Sequence, residues 1–466
     1  MVFSSHIFIY YFLPLVIAIY YLLPWKRNLF LLAASYVFYG WSDPRLVALM
    51  LAATVANYAC GLVISSPDAT QSRRKAALIV SIVASLSLLG FFKYFTFAGQ
   101  NLSGLLELLG SSPLPIVEIA LPAGISFYTF QSLSYTIDLY RKDARPARSF
   151  TDFACFVALF PQLIAGPIVR YNTVAEQLVH REHKVENFAS GVALFILGFA
   201  KKVLIANEIG QAADAAFAAE SPTAMDAWFG VTAYAFQIYF DFSAYSDMAV
   251  GLGRMFGFEF LKNFDAPYRA ESITEFWRRW HISLSTFLRD YLYVPLGGNR
   301  RGARRTYINL AIVMLLGGLW HGANWTFVAW GGFHGCLLAW ERWMGKESLY
   351  AKLPRPVRVG FTFVLVLFSW VLFRSETFGD ASAYLSAMFG MLPQASGTPL
   401  LGALLYTPTN IGAMVICEVL VLSPIQAHDW VERITVQRAV LVLLVFLYAL
   451  ATMTAQSFNP FLYFQF

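Results

Sequence analysis

Charge is what this sequence has least of: Asp, Glu, Lys and Arg make up 13% of its 466 residues, against 58% apolar residues. Soluble domains are roughly one quarter charged, so this balance excludes a water-soluble core. Nucleic acid is excluded as a partner too, because the formal charge of +6 gathers in short loops, as membrane topology demands, and not on a basic face. Cysteine is scarce. Cys60, Cys155, Cys336 and Cys417 are scattered without CxxC spacing and read as packing residues. His180 and His183 miss the HExxH pattern, no clustered His, Asp or Glu resembles a metal site, and GLGRMFGF at 251–258 lacks the strand and helix that frame a dinucleotide fingerprint. No repeat, low-complexity tract or soluble linker of domain length interrupts the chain, so residues 1–466 read as a single membrane domain. The first apolar run, His6 to Pro24, has no basic segment ahead of it and no small-residue cleavage site. It reads as a retained span.

What is present is apolar and aromatic. Rings reach 17%, with 42 Phe and 24 Tyr, which suits packing against lipid and at its interfaces. Stretches of near-spanning length follow at about 29–41, 46–65, 77–95, 115–139, 151–168, 188–206, 226–250, 307–343, 356–373, 411–423 and 438–455. At about 20 residues per span they predict an all-α polytopic protein of roughly 10–12 membrane segments, with 307–343 long enough for a broken pair. Several are interrupted by Gly and Pro, which predicts re-entrant pieces. Basic residues fall in every second loop of the first third, at Lys26/Arg27, Arg73 to Lys75 and Arg141 to Arg148. Those loops should face the cytoplasm, with the N-terminus outside.

One stretch breaks the texture. Glu271 to Arg305 holds seven arginines, Arg278, Arg279, Arg289, Arg300, Arg301, Arg304 and Arg305, and should also face the cytoplasm. Its Trp277, Trp280, Tyr291 and Tyr293 suggest amphipathic helices at the interface. Within it LGGNRRG, Leu296 to Gly302, offers backbone amides and guanidinium groups to the phosphates of a nucleotide-bearing donor; a plain topology determinant fits equally well.

The apolar run Ile312 to Trp320 ends on His321, then Gly322, Ala323 and Asn324. An ionisable residue at membrane depth is expensive and therefore a functional candidate, although a histidine that only bonds a neighbouring helix has the same pattern. Gly317, Gly318 and Gly322 permit a helix break or the close approach of another backbone. His281 follows Arg278, Arg279 and Trp280. If the chain between the two histidines leaves the interface and returns as a span, both imidazoles point into one cavity from the cytoplasmic side. Neutral imidazole suits the proton removal that acyl transfer to a hydroxyl requires, and a second donor can hold the developing oxyanion. His334 reads as structural. Asp241 and Asp247, at the end of another apolar run, must be paired if buried. Arginines of the basic stretch are the expected partners, with shaping of the reaction cavity the alternative role for both, and Asp241 a substrate-binding candidate. A transporter relaying protons through His281 and His321, or a scaffold, fits the same residues.

Five blocks carry a resemblance: LPAGISFYTFQSLSYTIDLY (121–140), FPQLIAGPIVR (160–170), YFDFSAYSDMAVGLG (239–253), ITEFWRRWHISLSTFLRDYLYVPLGG (273–298) and LLGGLWHGAN (315–324). Together they fill most of residues 90–345, and the chain resembles the membrane-bound O-acyltransferases, in particular the bacterial branch that modifies alginate. The resemblance implies a ring of helices around a thinned centre with a tunnel joining the two faces. It makes His321 the catalytic histidine and His281 the second motif histidine, with Trp320, Asn324, Asp241, Arg278, Arg279, Arg300 and Arg301 as substrate-binding candidates. It further implies an inner-membrane protein with no bound cofactor, lipid around it, acetyl-CoA as the donor, and an exported polysaccharide such as alginate or cellulose as acceptor. Periplasmic transferase partners usually accompany such a protein, and D-alanyl or other acyl transfer is the alternative within the family.

Overall fold

The computed structural model describes residues 1–345, 349–392, 398–456, 458–459 and 462. Among these every regular element is a helix. The chain forms two compact units, one of Met1–Phe195 with Met248–Leu261, the other of Ile196–Asp247 with Lys262–Phe466.

The first unit contains α1 (Phe8–Leu22), α2 (Arg27–Gly40), α3 (Arg45–Ser65), α4 (Gln71–Leu108), α5 (Ile125–Arg141) and α6 (Phe150–Ala158). Phe8, Phe12 and Phe38 pack around Phe160, with ring centroids 5.4–6.2 Å from it. A polar seam joins α3, α4 and α5: Ser81 donates to Asn57 Oδ1 at 2.6 Å and lies 2.8 Å from the Thr136 hydroxyl, while Asn57 donates to Ser85 at 3.1 Å. Such contacts join helices where lipid offers no hydrophobic drive between them. At Gly61 the Tyr135 ring occupies the space a side chain would need.

The second unit takes in the later part of α7 (Val185–Phe217) and most of α8 (Ala224–Met255), followed by α9 (Ile273–Arg279), α10 (Ile282–Leu288), α11 (Ala303–His321), α12 (Trp325–Met344), α13 (Arg355–Arg374), α14 (Pro408–Leu422) and α15 (Val436–Ala455). Helices α11 and α12 are the expected broken pair. They cross closely, since a side chain on Gly318 would strike the Phe327 carbonyl and one on Gly331 the Met314 carbonyl. Gly322 is extended, the Phe327 ring fills the space beside it, and Asn324 restarts the helix by accepting from the Thr326 amide at 3.2 Å. The break therefore falls immediately after His321.

Of the membrane segments expected, α3, α4, α7, α13 and α15 are long and apolar enough to cross, and α1 and α14 are shorter apolar helices. The run at 151–168 divides into α6 and a four-residue turn, Phe160–Leu163, carrying Pro161. The run at 115–139 becomes helical only from Ile125. Within Glu271 to Arg305 the structure forms the short helices α9 and α10. Trp280 is buried against Trp370, Phe264 and Tyr268.

Candidate active site

His321 is the last residue of α11 and is buried. Its ring packs edge-on against Trp320 at 5.0 Å, Trp330 of α12 at 5.1 Å and Phe373 of α13 at 5.3 Å. Trp320 also lies 5.9 Å from the ring of His281, so one indole stands beside both imidazoles.

His281 sits in the joint between α9 and α10 with φ +43°, a left-handed conformation uncommon outside Gly, Asn and Asp. Two backbone hydrogen bonds hold this joint, Asp265 N to Arg279 O at 3.0 Å and Ile282 N to Asn263 O at 2.9 Å. The Asn263 side chain completes it. Its Oδ1 accepts from the Ser283 amide at 3.1 Å, which identifies it as the carbonyl end, and the same atom lies 3.2 Å from His281 Nδ1. Nδ1 therefore carries the proton and donates, and the lone pair is on Nε2. Helix α9 is itself fixed at its start by Glu341 of α12, whose carboxylate accepts from the Thr274 amide at 2.9 Å and the Thr274 hydroxyl at 2.7 Å, as a helix N-terminus favours.

Burial first, and then the neighbouring His321, hold the His281 imidazole well below its usual range. The folded chain keeps it neutral, so below about pH 6.5 the unfolded chain binds the proton that the folded one refuses, and stability declines as pH falls through that value. Thermal unfolding in detergent should show the midpoint dropping between pH 7 and pH 5.5. His281→Asn, which tolerates the left-handed backbone, should drop less, and equal slopes would contradict a neutral buried His281.

A cavity of about 570 Å³ has His321 and Trp330 in its wall, together with Trp277, Arg278, Arg289 and Tyr293. Of the side chains lining it, His321 is the one imidazole, the group suited by its chemistry to proton transfer. A second, more polar cavity of about 660 Å³ shares Thr274 and Arg278 with the first and adds Trp340, Arg342 and Arg358. Arg278 is exposed and has no ion-pair partner among the described residues.

The structure brings together His321, His281, Trp320 and Arg278, although only His321 and Arg278 of these line the inner cavity. The expectation that both imidazoles open into it is met by one of them. Arg279 is taken up by Glu275 at 2.8 Å and by the Asp265 carbonyl at 3.0 Å. Arg300 and Arg301 are exposed on the 294–302 loop, which Asn309 ties to α11 through Gly298 O at 2.9 Å, and neither lines the two cavities. Asn324 caps α12 and donates to Glu376 O at 2.7 Å. Asp241 pairs with Lys202 at 2.7 Å, and Asp247 with Lys201 at 2.6 Å and His428 at 2.8 Å. The arginines expected as their partners are not used, because two lysines on α7 are nearer. His334 accepts from Trp277 Nε1 at 3.3 Å and stacks on Phe276, consistent with a structural role. Asn263 was not legible beforehand. It belongs to no motif, and only the backbone pairing of 263–265 with 279–282 brings it to His281.

The site is thus a buried histidine facing a cavity that adjoins a vestibule of mixed charge, where Arg278, Arg342 and Arg358 stand among Glu271, Glu275 and Glu341. The profile of the membrane-bound O-acyltransferase family, MBOAT, matches residues 32–373. The chain belongs to this family. It is thus an all-α, polytopic membrane protein and an O-acyltransferase, which sets the transporter reading aside. It is 45% identical to a probable alginate O-acetylase of Azotobacter vinelandii over the whole of both chains. It is 49% identical to a probable alginate O-acetylase of Pseudomonas aeruginosa over 84% of this chain and 75% of that one. A peptidoglycan O-acetyltransferase of Helicobacter pylori is 36% identical over 84% of this chain and 80% of its own. The family match encloses all five motif blocks, and the full-length relative extends the likeness past residue 373.

Proposed function

We propose that the protein transfers acetyl groups from acetyl-CoA at the cytoplasmic face to hydroxyls of an exported polysaccharide of the alginate type, in the inner membrane with its N-terminus outside. The observation that carries this reading is His321, buried in the wall of a cavity that adjoins a charged vestibule at Arg278. The vestibule offers Arg278, Arg342 and Arg358 to donor phosphates, with Arg358 partly engaged by Glu271 at 2.6 Å, and guanidinium suits phosphate. The less polar inner cavity would take the thioester arm. His321 acts as general base: as the acceptor hydroxyl attacks the thioester carbonyl, its proton passes to the imidazole, the C–S bond breaks, and the thiolate leaves and is protonated in turn. His281 and Trp320 serve as positioning residues for His321. Periplasmic transferases then complete modification of the polymer.

Purified protein supplied with radiolabelled acetyl-CoA tests this. Arg278→Ala should raise the KM for the donor about tenfold, the loss of one charge-assisted contact, with kcat nearly unchanged. Failure to turn over acetyl-CoA, with transfer from a carrier-bound D-alanyl thioester, would overturn the reading in favour of D-alanylation.

A further inference from the structure

A separate cavity of about 630 Å³ lies between α8, α13 and α14, shares no lining residue with the two just described, and no step of acyl transfer uses it. Its walls are apolar, with Phe229 and Phe236 from α8, Phe363 from α13 and Met414 from α14. Its wall on α14 runs from Ile411 to Leu422, about 16 Å at helical rise, close to half the ~30 Å hydrocarbon thickness of a bilayer. The charged members of the lining are Arg269, Arg355 and Glu418. Arg355 is answered by Glu271 at 3.0 Å. Arg269, which ends the turn Pro267–Arg269, is half-buried, and its guanidinium has neither an ion pair nor a hydrogen bond among the described residues. Glu418 likewise has no cationic partner among them.

A half-buried guanidinium needs an anion, and a carboxylate on an apolar helix needs a cation. One charge of each sign beside an apolar slot one leaflet deep describes a zwitterionic lipid. The geometry points to a bound phospholipid whose phosphate meets Arg269, whose acyl chain fills the slot, and whose headgroup ammonium meets Glu418. A primary ammonium donates hydrogen bonds to a carboxylate and a quaternary one cannot, so the site selects phosphatidylethanolamine over phosphatidylcholine. A purely anionic lipid would meet Glu418 unfavourably. This site does not depend on the acetyl-transfer reading.

Native mass spectrometry of the full chain, released from nanodiscs of equal phosphatidylethanolamine, phosphatidylglycerol and phosphatidylcholine, tests it. The wild type should keep one phosphatidylethanolamine, and millimolar inorganic phosphate should not displace it. Arg269→Gln should lower retention of any phospholipid about tenfold. Glu418→Gln should keep a lipid but lose the preference for phosphatidylethanolamine over phosphatidylglycerol. Gly360→Leu supplies a variant that leaves the charges intact: a Cβ at Gly360, which lines the slot, meets nothing within 4 Å, so the leucine should fill the slot and expel the lipid without straining the helix. Arg304→Gln, an exposed arginine outside the slot, should change nothing. No retained lipid in the wild type, equal retention of all three headgroups, or displacement by inorganic phosphate would each overturn the proposal, as would retention in Arg269→Gln or Gly360→Leu that matches the wild type.

Discussion

His321→Ala should lower acetyl turnover by about 10²- to 10⁴-fold, the usual worth of a positioned acid or base, while the protein still purifies with a wild-type melting profile. The size follows from the lining of the cavity. Its other polar members are two guanidiniums, a phenol, two indoles and hydroxyls, and none of these takes up a proton readily near neutrality. Folding should survive, because the α11–α12 crossing depends on Gly318 and Gly331, and the truncated side chain ends in a cavity. Initial rates with labelled acetyl-CoA decide the matter, and a variant retaining a third of wild-type turnover would remove His321 from the chemistry. The scaffold alternative makes the opposite forecast, with acetylation in cells intact in the same variant.

Lys202→Met should be among the most destabilising single substitutions, costing about 3–5 kcal/mol, because it leaves the Asp241 carboxylate buried without its cation. Both side chains are almost fully enclosed, 4% and 2% exposed, with 2.7 Å between their charged atoms. Among the described residues the remaining contact to Asp241 is the Leu462 amide at 3.0 Å, which is too little for a charge at membrane depth. The double variant Lys202→Met with Asp241→Leu should recover most of the loss, since an apolar pair of similar volume removes the desolvation penalty altogether. Thermal unfolding in one detergent compares the three proteins. A single variant as stable as the wild type would show that Asp241 is satisfied in another way.

These two residues mark what could and could not be read in advance. His321 was legible because a titratable group at the end of an apolar run announces its own cost, and because glycines flanked it. The same reasoning applied to Lys201 and Lys202, which sit inside the apolar run 188–206, would have supplied the partners of Asp247 and Asp241. The arginine-rich stretch supplies neither cation. The division of labour between Arg278 and Arg279 was beyond sequence, since adjacent arginines on a short helix differ only in what faces them: Glu275 and Asp265 for one, two cavities for the other. The left-handed backbone at His281 was equally hidden. A histidine bears no mark of the conformation that its neighbours impose, and Asn263, eighteen residues upstream, acts through hydrogen bonds that no spacing rule anticipates.

The pairing of Asp241 also has a bearing on the order in which the chain is made. Lys202 precedes it on the neighbouring helix, whereas the Leu462 amide lies 221 residues further on. Helices α7 and α8 must therefore enter the bilayer together as a neutralised hairpin, with Lys202 already in place. The amide is a later fastening, added only after those 221 further residues have been made. Conditions that slow the insertion of α7 should stall α8 at the interface, and the nascent chain between those two events should be a favoured substrate for membrane quality-control proteases.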